Sequence, residues 1–278
     1  MDQINFKKER DLGATLEVAS TFIKQNFGRI MKPTLVVVVI PLVLGAVLMV
    51  IGMRNIYSNI GTNDPTQIFS SFEALVPAYL LIMITFMLAN VMYIGYIKLY
   101  TEGLEEITLN DLLPIVKSKA LTLFLSSILL VIILYIGMLL CVLPGIYLAI
   151  VFAHFFPIYI IEGNGFGASW KRSFFLIKDN WWSSFGLYIV TYLISLGMMI
   201  LVYIPVYAIM GVQIFSAAKE NDPTAMMSSM SSMAYVTPVY YVVGLLVALL
   251  YSTITSLRYF SLVEKKEGTG ELEQISKL

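Results

Sequence analysis

Charge is what this sequence has least of. Asp, Glu, Lys and Arg make up 13% of its 278 residues, whereas soluble domains carry about 25%. The 18 basic and 18 acidic residues cancel. A chain without net charge has no long-range field to attract a polyanion, so nucleic acid is not expected as a partner. Cysteine occurs once, at Cys141, which leaves no internal disulfide and no paired-cysteine metal or redox site. It lies in an apolar run and is expected as a small buried hydrophobe. Histidine also occurs once, at His154. HExxH, GxSxG and the phosphate-binding glycine loop are missing, and the apolar runs carry no paired aspartates for intramembrane catalysis. No catalytic residue, metal site or cofactor is therefore expected, and an intramembrane enzyme is the least favoured class.

Apolar residues are what is there, at 58% with a mean hydropathy of +0.82. Such a chain needs lipid as solvent. A spanning helix takes roughly 20 predominantly apolar residues. Six stretches qualify, at about 33–53, 76–99, 120–143, 145–161, 182–212 and 237–263. The fifth is long enough to tilt or to bend at Pro205. Pro41, Pro157 and Pro205 lie inside spans, where neighbouring helices tolerate them. The first 30 residues hold no apolar signal-peptide core, so the first span is expected to direct insertion.

Orientation follows from the basic residues. Of the 18 Lys and Arg, all but Arg54 and Lys219 fall on one side: the N-terminal segment, the connections after spans two and four, and the tail. Both termini are expected in the cytoplasm. The connection between spans three and four is "VLPG" at 142–145, read as a turn through Pro144 and Gly145 that forces a tight hairpin.

The chain also repeats itself. "GATLEVASTFIKQNF" from Gly13 aligns without gaps to "GASWKRSFFLIKDNW" from Gly167. Trp170, Phe174, Ile177 and Trp181 fall on one helical face, which predicts an amphipathic interfacial helix before the span in both copies. A weaker copy places Leu109, Leu113, Val116 and Ala120 in the same slots. Units end on Glu102, Glu162 and Glu264. The expected architecture is one all-α membrane domain over 1–278, with six transmembrane helices in interfacial-helix-plus-hairpin units at 13–102, 106–162 and 167–264. A polar cytoplasmic tail follows at 265–278. "NDPT" recurs at 63–66 and 221–224. Asp64 and Asp222 read as N-caps, with Pro65 and Pro223 at the first helical position. "MMSSMSSM" at 226–233 is no copper site, because the other copy has Ile68, Phe69 and Phe72 in the Met226, Met227 and Met230 slots.

Residues 142–181 carry a distinctive pattern. L-P-G-I-Y-L-A is followed by Pro157, then Glu162-Gly163, then Gly165-x-x-x-Ser169, then Ser173 and a closing Trp181. This resembles the membrane domain found on some bacterial glycerophosphodiester phosphodiesterases and on stand-alone bacterial membrane proteins. The pattern covers about 40 residues, and the six-span layout extends it loosely across the chain. No catalytic barrel follows span six. The resemblance therefore implies the fold and a bacterial cytoplasmic (inner) membrane, and does not imply phosphodiesterase activity. Its motif residues here are Pro144, Gly145, Glu162, Gly163, Ser169, Arg172, Ser173 and Trp181.

Three groups of residues are candidates for function. His154 lies nine residues into span four, about 14 Å deep at 1.5 Å per residue, where an ionisable group is a functional candidate by default. The other reading is a neutral histidine bonded to Asn90, Thr85, Ser126, Ser127, Thr191 or Ser195 of a neighbouring helix. On the functional reading His154→Ala leaves folding nearly intact but abolishes any transport. Lys171, Arg172 and Lys178 oppose the aromatic face and suit anionic headgroups. Glu162 is placed to pair with Arg172 across a glycine-rich turn. Together these point to a non-enzymatic, lipid-interacting or transport-associated module. Membrane lipids are the expected partners, with room for a protein partner or a second copy. The alternative is a scaffold that recruits a partner. A transporter needs a cleft lined by Asn90, His154 and the span hydroxyls, whereas a scaffold needs a closed bundle with an exposed cytoplasmic patch.

Overall fold

The computed structural model describes residues 4–59, 66, 69, 72–73, 75–219 and 233–268. Both NDPT segments, with the expected Asp64 and Asp222 caps, lie outside the described residues apart from Thr66. The protein is all-helical. In chain order the helices are α1 (Leu12–Asn59), α2 (Leu75–Thr101), α3 (Leu109–Leu140), α4 (Val142–Ala153), α5 (Phe155–Ile161), α6 (Phe166–Ile177) and α7 (Trp181–Lys219). A 3₁₀ turn (Met233–Val236) then leads into α8 (Thr237–Glu267). Six helical segments are long and apolar enough to cross a membrane, and α4 and α5 together make the fourth. Leu139, Leu140 and Leu143 are 75–82% exposed. Aliphatic side chains bared to this extent along a helix suit contact with acyl chains rather than water.

Two compact units make up the chain. One comprises Met1–Val36, Met87–Leu193 and Ala248–Leu278, the other Val37–Phe86 and Ile194–Val247. In the second, glycines set the helix spacing. A Cβ at Gly45 would fall 2.9 Å from Ile82 Cδ1, one at Gly52 2.5 Å from Leu75 Cδ2, and one at Gly244 2.7 Å from the Phe86 ring. Small residues at such crossings let helices approach where no hydrophobic force drives them together. A tyrosine cluster, Tyr203 with Tyr207 (5.3 Å) and Tyr240 (5.6 Å), lines a cavity of about 480 Å³ in this unit.

The first unit holds the motif residues and corrects three expectations. The hairpin between spans three and four pivots on Cys141 alone. Cys141 is extended (φ −170°, ψ 142°) and closes α3, while Val142 already begins α4. Pro144 and Gly145 therefore lie in the first turn of α4 and do not form the turn. Proline fits there because its missing N–H would have no intrahelical acceptor. A Cβ at Gly145 would lie 2.4 Å from Met138 Cγ and 3.0 Å from Met138 Cα, so glycine is what lets α4 fold back along α3. Cys141 is exposed rather than buried, because it sits at the hairpin tip.

The second correction concerns the interfacial helices. Only the copy in the third unit is separate, as α6. The first copy is the start of α1, which runs unbroken from Leu12 through Pro33 and Pro41, and the weak copy is the start of α3. Sequence explains the contrast. The break after α6 places Asp179 at φ 69°, a left-handed conformation that Asp and Asn adopt far more readily than other side chains. The aligned residue in the first copy is Gln25, which favours continued helix.

The third correction is in span four, which is two helices. Pro157 has no N–H for the Ala153 carbonyl, and its ring crowds that carbonyl. The helix duly stops at Ala153 and resumes at Phe155, with His154 between them. The expected bend at Pro205 is not a break, since α7 continues through it.

Candidate functional site

Span four ends in a polar junction. Gly163 takes φ 74°, which glycine adopts without penalty, and turns the chain from α5 into α6. Glu162 stands at this turn as an acceptor for three donors. Arg172 Nε lies 3.0 Å from Oε1, the Tyr259 hydroxyl 3.0 Å from the same oxygen, and Asn164 Nδ2 2.8 Å from Oε2. Arg172 then spans to Glu267, with Nη2 donating to Oε2 at 2.8 Å and Nη1 to Oε1. The bond to Glu267, and then that to Glu162, hold the Arg172 guanidinium above its already high ordinary pKa against the opposing effect of burial. One arginine thereby ties the end of span four, α6 and the end of α8 together. A bidentate guanidinium–carboxylate pair is among the stronger protein hydrogen-bond arrangements.

The aromatic face of α6 seats it on span four. Trp170 meets Phe152 at 4.9 Å, Phe166 meets Phe155 at 5.2 Å, and Phe174 meets Tyr147 at 6.3 Å. Trp181, at the start of α7, stacks on Tyr147 at 6.1 Å and on Phe185 at 5.0 Å. The motif serines are fully buried under this face. Ser173 Oγ donates to the Ser169 carbonyl at 2.8 Å, while Ser169 Oγ and Trp181 Nε1 are buried without a partner. The basic side remains outward, with Lys171 and Lys178 exposed. Other lysines are spent on helix ends. Lys119 Nζ reaches the Gly163 carbonyl (3.2 Å), Lys98 Nζ the Ile160 carbonyl (3.4 Å), and Lys266 Nζ the Phe175 and Lys178 carbonyls. Cations at helix C-termini satisfy unpaired carbonyls and oppose the helix dipole.

His154 is fully buried, but its partner is none of the six side chains expected. Nδ1 lies 3.1 Å from the Ile150 carbonyl and Nε2 lies 3.1 Å from the Tyr188 hydroxyl. A carbonyl only accepts, so Nδ1 carries the proton and Nε2 accepts from Tyr188. The remaining candidates are occupied elsewhere. Asn90 Oδ1 accepts from Ser252 Oγ at 2.8 Å, Thr85 donates to its own helix at Leu81, Thr191 to Leu187, and Ser127 to Phe124. Ser126 is buried on α3, and Ser195 lies with Thr85 in the second unit. The two hydrogen bonds of the His154 ring therefore go to Ile150 and Tyr188, and not to Asn90, Thr85, Ser126 or Ser195.

A polar cleft lies elsewhere in the first unit. It has a volume of about 770 Å³, and among its lining residues are Glu9, Arg10, Asp11, Trp182, Arg258 and Lys265. Arg258, though charged, is 8% exposed. Sequence reasoning counted it only as one more charge on the basic side. The overlooked signal is its place inside "STITSLRYFSLVE", nearly two helical turns ahead of the tail lysines. Tyr188, Tyr259 and Glu267 were missed because a tyrosine or a tail glutamate in such a sequence carries no mark of its partner.

No protein-family model, curated protein or solved structure matches the chain. Among the described residues, no group of three or more His, Cys, Asp or Glu could hold a metal ion.

Proposed function

We propose that the chain is a non-enzymatic, lipid-interacting module of the bacterial cytoplasmic membrane, with both termini in the cytoplasm. The observation that carries the reading is α6. It lies outside the spans, its aromatic face is packed on span four, and Lys171 and Lys178 point outward beside Phe175, which is 49% exposed. Outward cations next to an exposed ring at the end of a span suit the headgroup layer, where each basic residue contributes about 1 kcal/mol toward anionic lipid. The basic asymmetry of the sequence and the resemblance of residues 142–181 support the location. Asn90 and Ser252 support the repeat. They hold the same position ahead of the closing Glu102 and Glu264, and they meet at 2.8 Å.

Lipid retention tests the reading. The protein is reconstituted in nanodiscs of mixed phosphatidylglycerol and phosphatidylcholine, released, and weighed by native mass spectrometry. Retention enriched in phosphatidylglycerol, and reduced in Lys171→Glu/Lys178→Glu, is the expected result. Absence of any retained lipid defeats the reading. A soluble protein captured at unit stoichiometry with no lipid would favour the scaffold instead.

A further inference from the structure

Two guanidinium groups in the first unit, buried at Arg258 and half-buried at Arg10, form no direct ion pair with a carboxylate. Arg258 Nε donates to Ser184 Oγ at 3.0 Å and Nη2 donates to Ser183 Oγ. Its Nη1 has no partner among the described residues. Arg10 is half-buried and donates only to the carbonyls of Phe6, Lys8 and Asn5. Among the ion pairs of the described residues, Arg172 joins Glu162 and Glu267, and Lys265 stands beside Glu9. Neither Arg10 nor Arg258 is in one. Hydroxyls and carbonyls satisfy N–H groups but do not neutralise charge, and a buried cation without a counter-ion is strongly disfavoured.

Both arginines line the 770 Å³ cleft. Two carboxylates, Glu9 and Asp11, also line it, but the three cations Arg10, Arg258 and Lys265 leave a positive excess. Asp11 Oδ1 accepts the Ala14 N–H at 2.8 Å, capping α1, and exposed Glu9 stands 3.8 Å from Lys265. The site is held in place before any ligand arrives. Ser261 accepts the Arg10 N–H at 3.0 Å and donates to the Arg10 carbonyl at 3.3 Å. Ser261 is three residues from Arg258 on α8 and so on the same face. The N-terminal segment is thus fastened to the helix that carries the second guanidinium. The rim is amphipathic, with Trp182 77% exposed, as suits a residue at a membrane–water boundary.

We propose that this cleft binds a phosphate group, with its oxygens on the Arg258 guanidinium, which Ser183 and Ser184 hold in place, and with Arg10 and Lys265 supplying further positive charge. Planar guanidinium donors match phosphate geometry, and the cleft is large enough for a phospholipid headgroup. The source favoured by the exposed Trp182 rim is an anionic phospholipid, and to that extent the inference rests on the lipid-interacting reading. A soluble phosphoester presents the same chemistry.

Binding to the full-length protein in detergent decides it, with phosphatidylglycerol and inorganic phosphate as separate probes followed by native mass spectrometry and thermal shift. Two variants are used. Arg258→Met removes the guanidinium. Gly186→Leu builds into the cleft from α7 and leaves the guanidinium in the sequence, and a Cβ there meets only Leu12 Cδ1 at 3.9 Å. Gly186→Leu keeps the test valid if Arg258→Met does not fold. The expected result is phosphatidylglycerol binding weakened at least tenfold in both variants, with the unliganded melting of Gly186→Leu unchanged. Saturable phosphate binding that is lost in the variants, without lipid binding, upholds the site and assigns a soluble ligand. Lipid binding that is unchanged in Gly186→Leu and in folded Arg258→Met overturns the site and leaves the lipid-interacting reading standing. Binding of neither probe overturns both.

Discussion

His154 Nε2 accepts the Tyr188 hydroxyl at 3.1 Å while His154 Nδ1 donates to Ile150. The only histidine in the chain thus has both ring nitrogens engaged and no exposed surface. It bridges the break in span four to α7. Tyr188→Phe leaves Nε2 buried without a donor and should cost about 1–3 kcal/mol. His154→Ala also removes a packed ring and should cost about 2–5 kcal/mol. This reverses the sequence-based expectation that the alanine variant folds almost normally. A double-mutant cycle by denaturation in micelles should return a coupling of about 0.6 kcal/mol, the average for hydrogen bonds between membrane helices, and no more than about 1.7 kcal/mol. Additive effects would show that the two rings do not interact.

Gly145 is held against Met138 by space rather than by backbone conformation. Its Cβ position lies 2.4 Å from Met138 Cγ and 3.0 Å from Met138 Cα. The sulfur end of Met138 can swing away, but its Cα cannot. Gly145→Ala should therefore destabilise the α3–α4 hairpin by about 1–3 kcal/mol, as overpacking does. Gly167→Ala, with nothing within 4 Å of its Cβ position, should be neutral or slightly stabilising because alanine favours helix. Equal melting temperatures for the two variants would remove the packing explanation.

The Glu162–Arg172 pair should behave as part of a network. The two side chains are 18% and 23% exposed, and Glu267 is 31% exposed. Water screens the pairs in part, and surface ion pairs contribute about 0–1 kcal/mol each. Arg172→Ala loses both pairs, the bond to Glu162 and the anchor of α6, and should cost about 2 kcal/mol. Glu267→Gln should cost less than Glu162→Gln, because Glu162 also holds Tyr259 and Asn164. The swap Glu162→Arg/Arg172→Glu should recover little, since Tyr259 and Glu267 then face the wrong partners. Thermal shift at low and high salt reads this out. Full recovery by the swap would reduce the junction to a simple pair.

Asp179 shows how far the sequence could be read and where it stopped. The six spans follow from hydropathy because lipid leaves a helix little alternative. The separate α6 follows from its aromatic periodicity together with residues able to leave the helix after it. The first copy has the same periodicity and lacks the exit. Periodicity reports which face is apolar, whereas φ at one residue decides whether two helices are one. The cleft was illegible for another reason, since Arg10 and Arg258 are brought together only by the tertiary fold. If Asp179 alone permits the break, Asp179→Gly should be neutral or stabilising. Asp179→Val should cost at least about 1–2 kcal/mol, the usual penalty for a side chain in the left-handed region. Melting temperatures that do not separate the two variants would place the cause of the break elsewhere.

The repeat makes a prediction that composition does not. If units one and three are copies, Asn90 and Ser252 hold matching positions ahead of Glu102 and Glu264, and Ser252 Oγ donates to Asn90 Oδ1 at 2.8 Å. Contact between equivalent positions is what an approximate two-fold relation between units one and three produces near its axis. Ser252→Ala should then cost about 1 kcal/mol through the lost hydrogen bond. The exchange Asn90→Ser/Ser252→Asn should restore most of that loss, because each site sees nearly the surroundings of the other. An incidental contact gives a different result. Asparagine placed at 252 would meet an unrelated wall, overpack or leave its amide unpaired, and the exchanged protein would melt below both single variants. Thermal denaturation of the four proteins in one detergent separates the outcomes, and a melting temperature for the exchange below that of Ser252→Ala would end the two-fold reading.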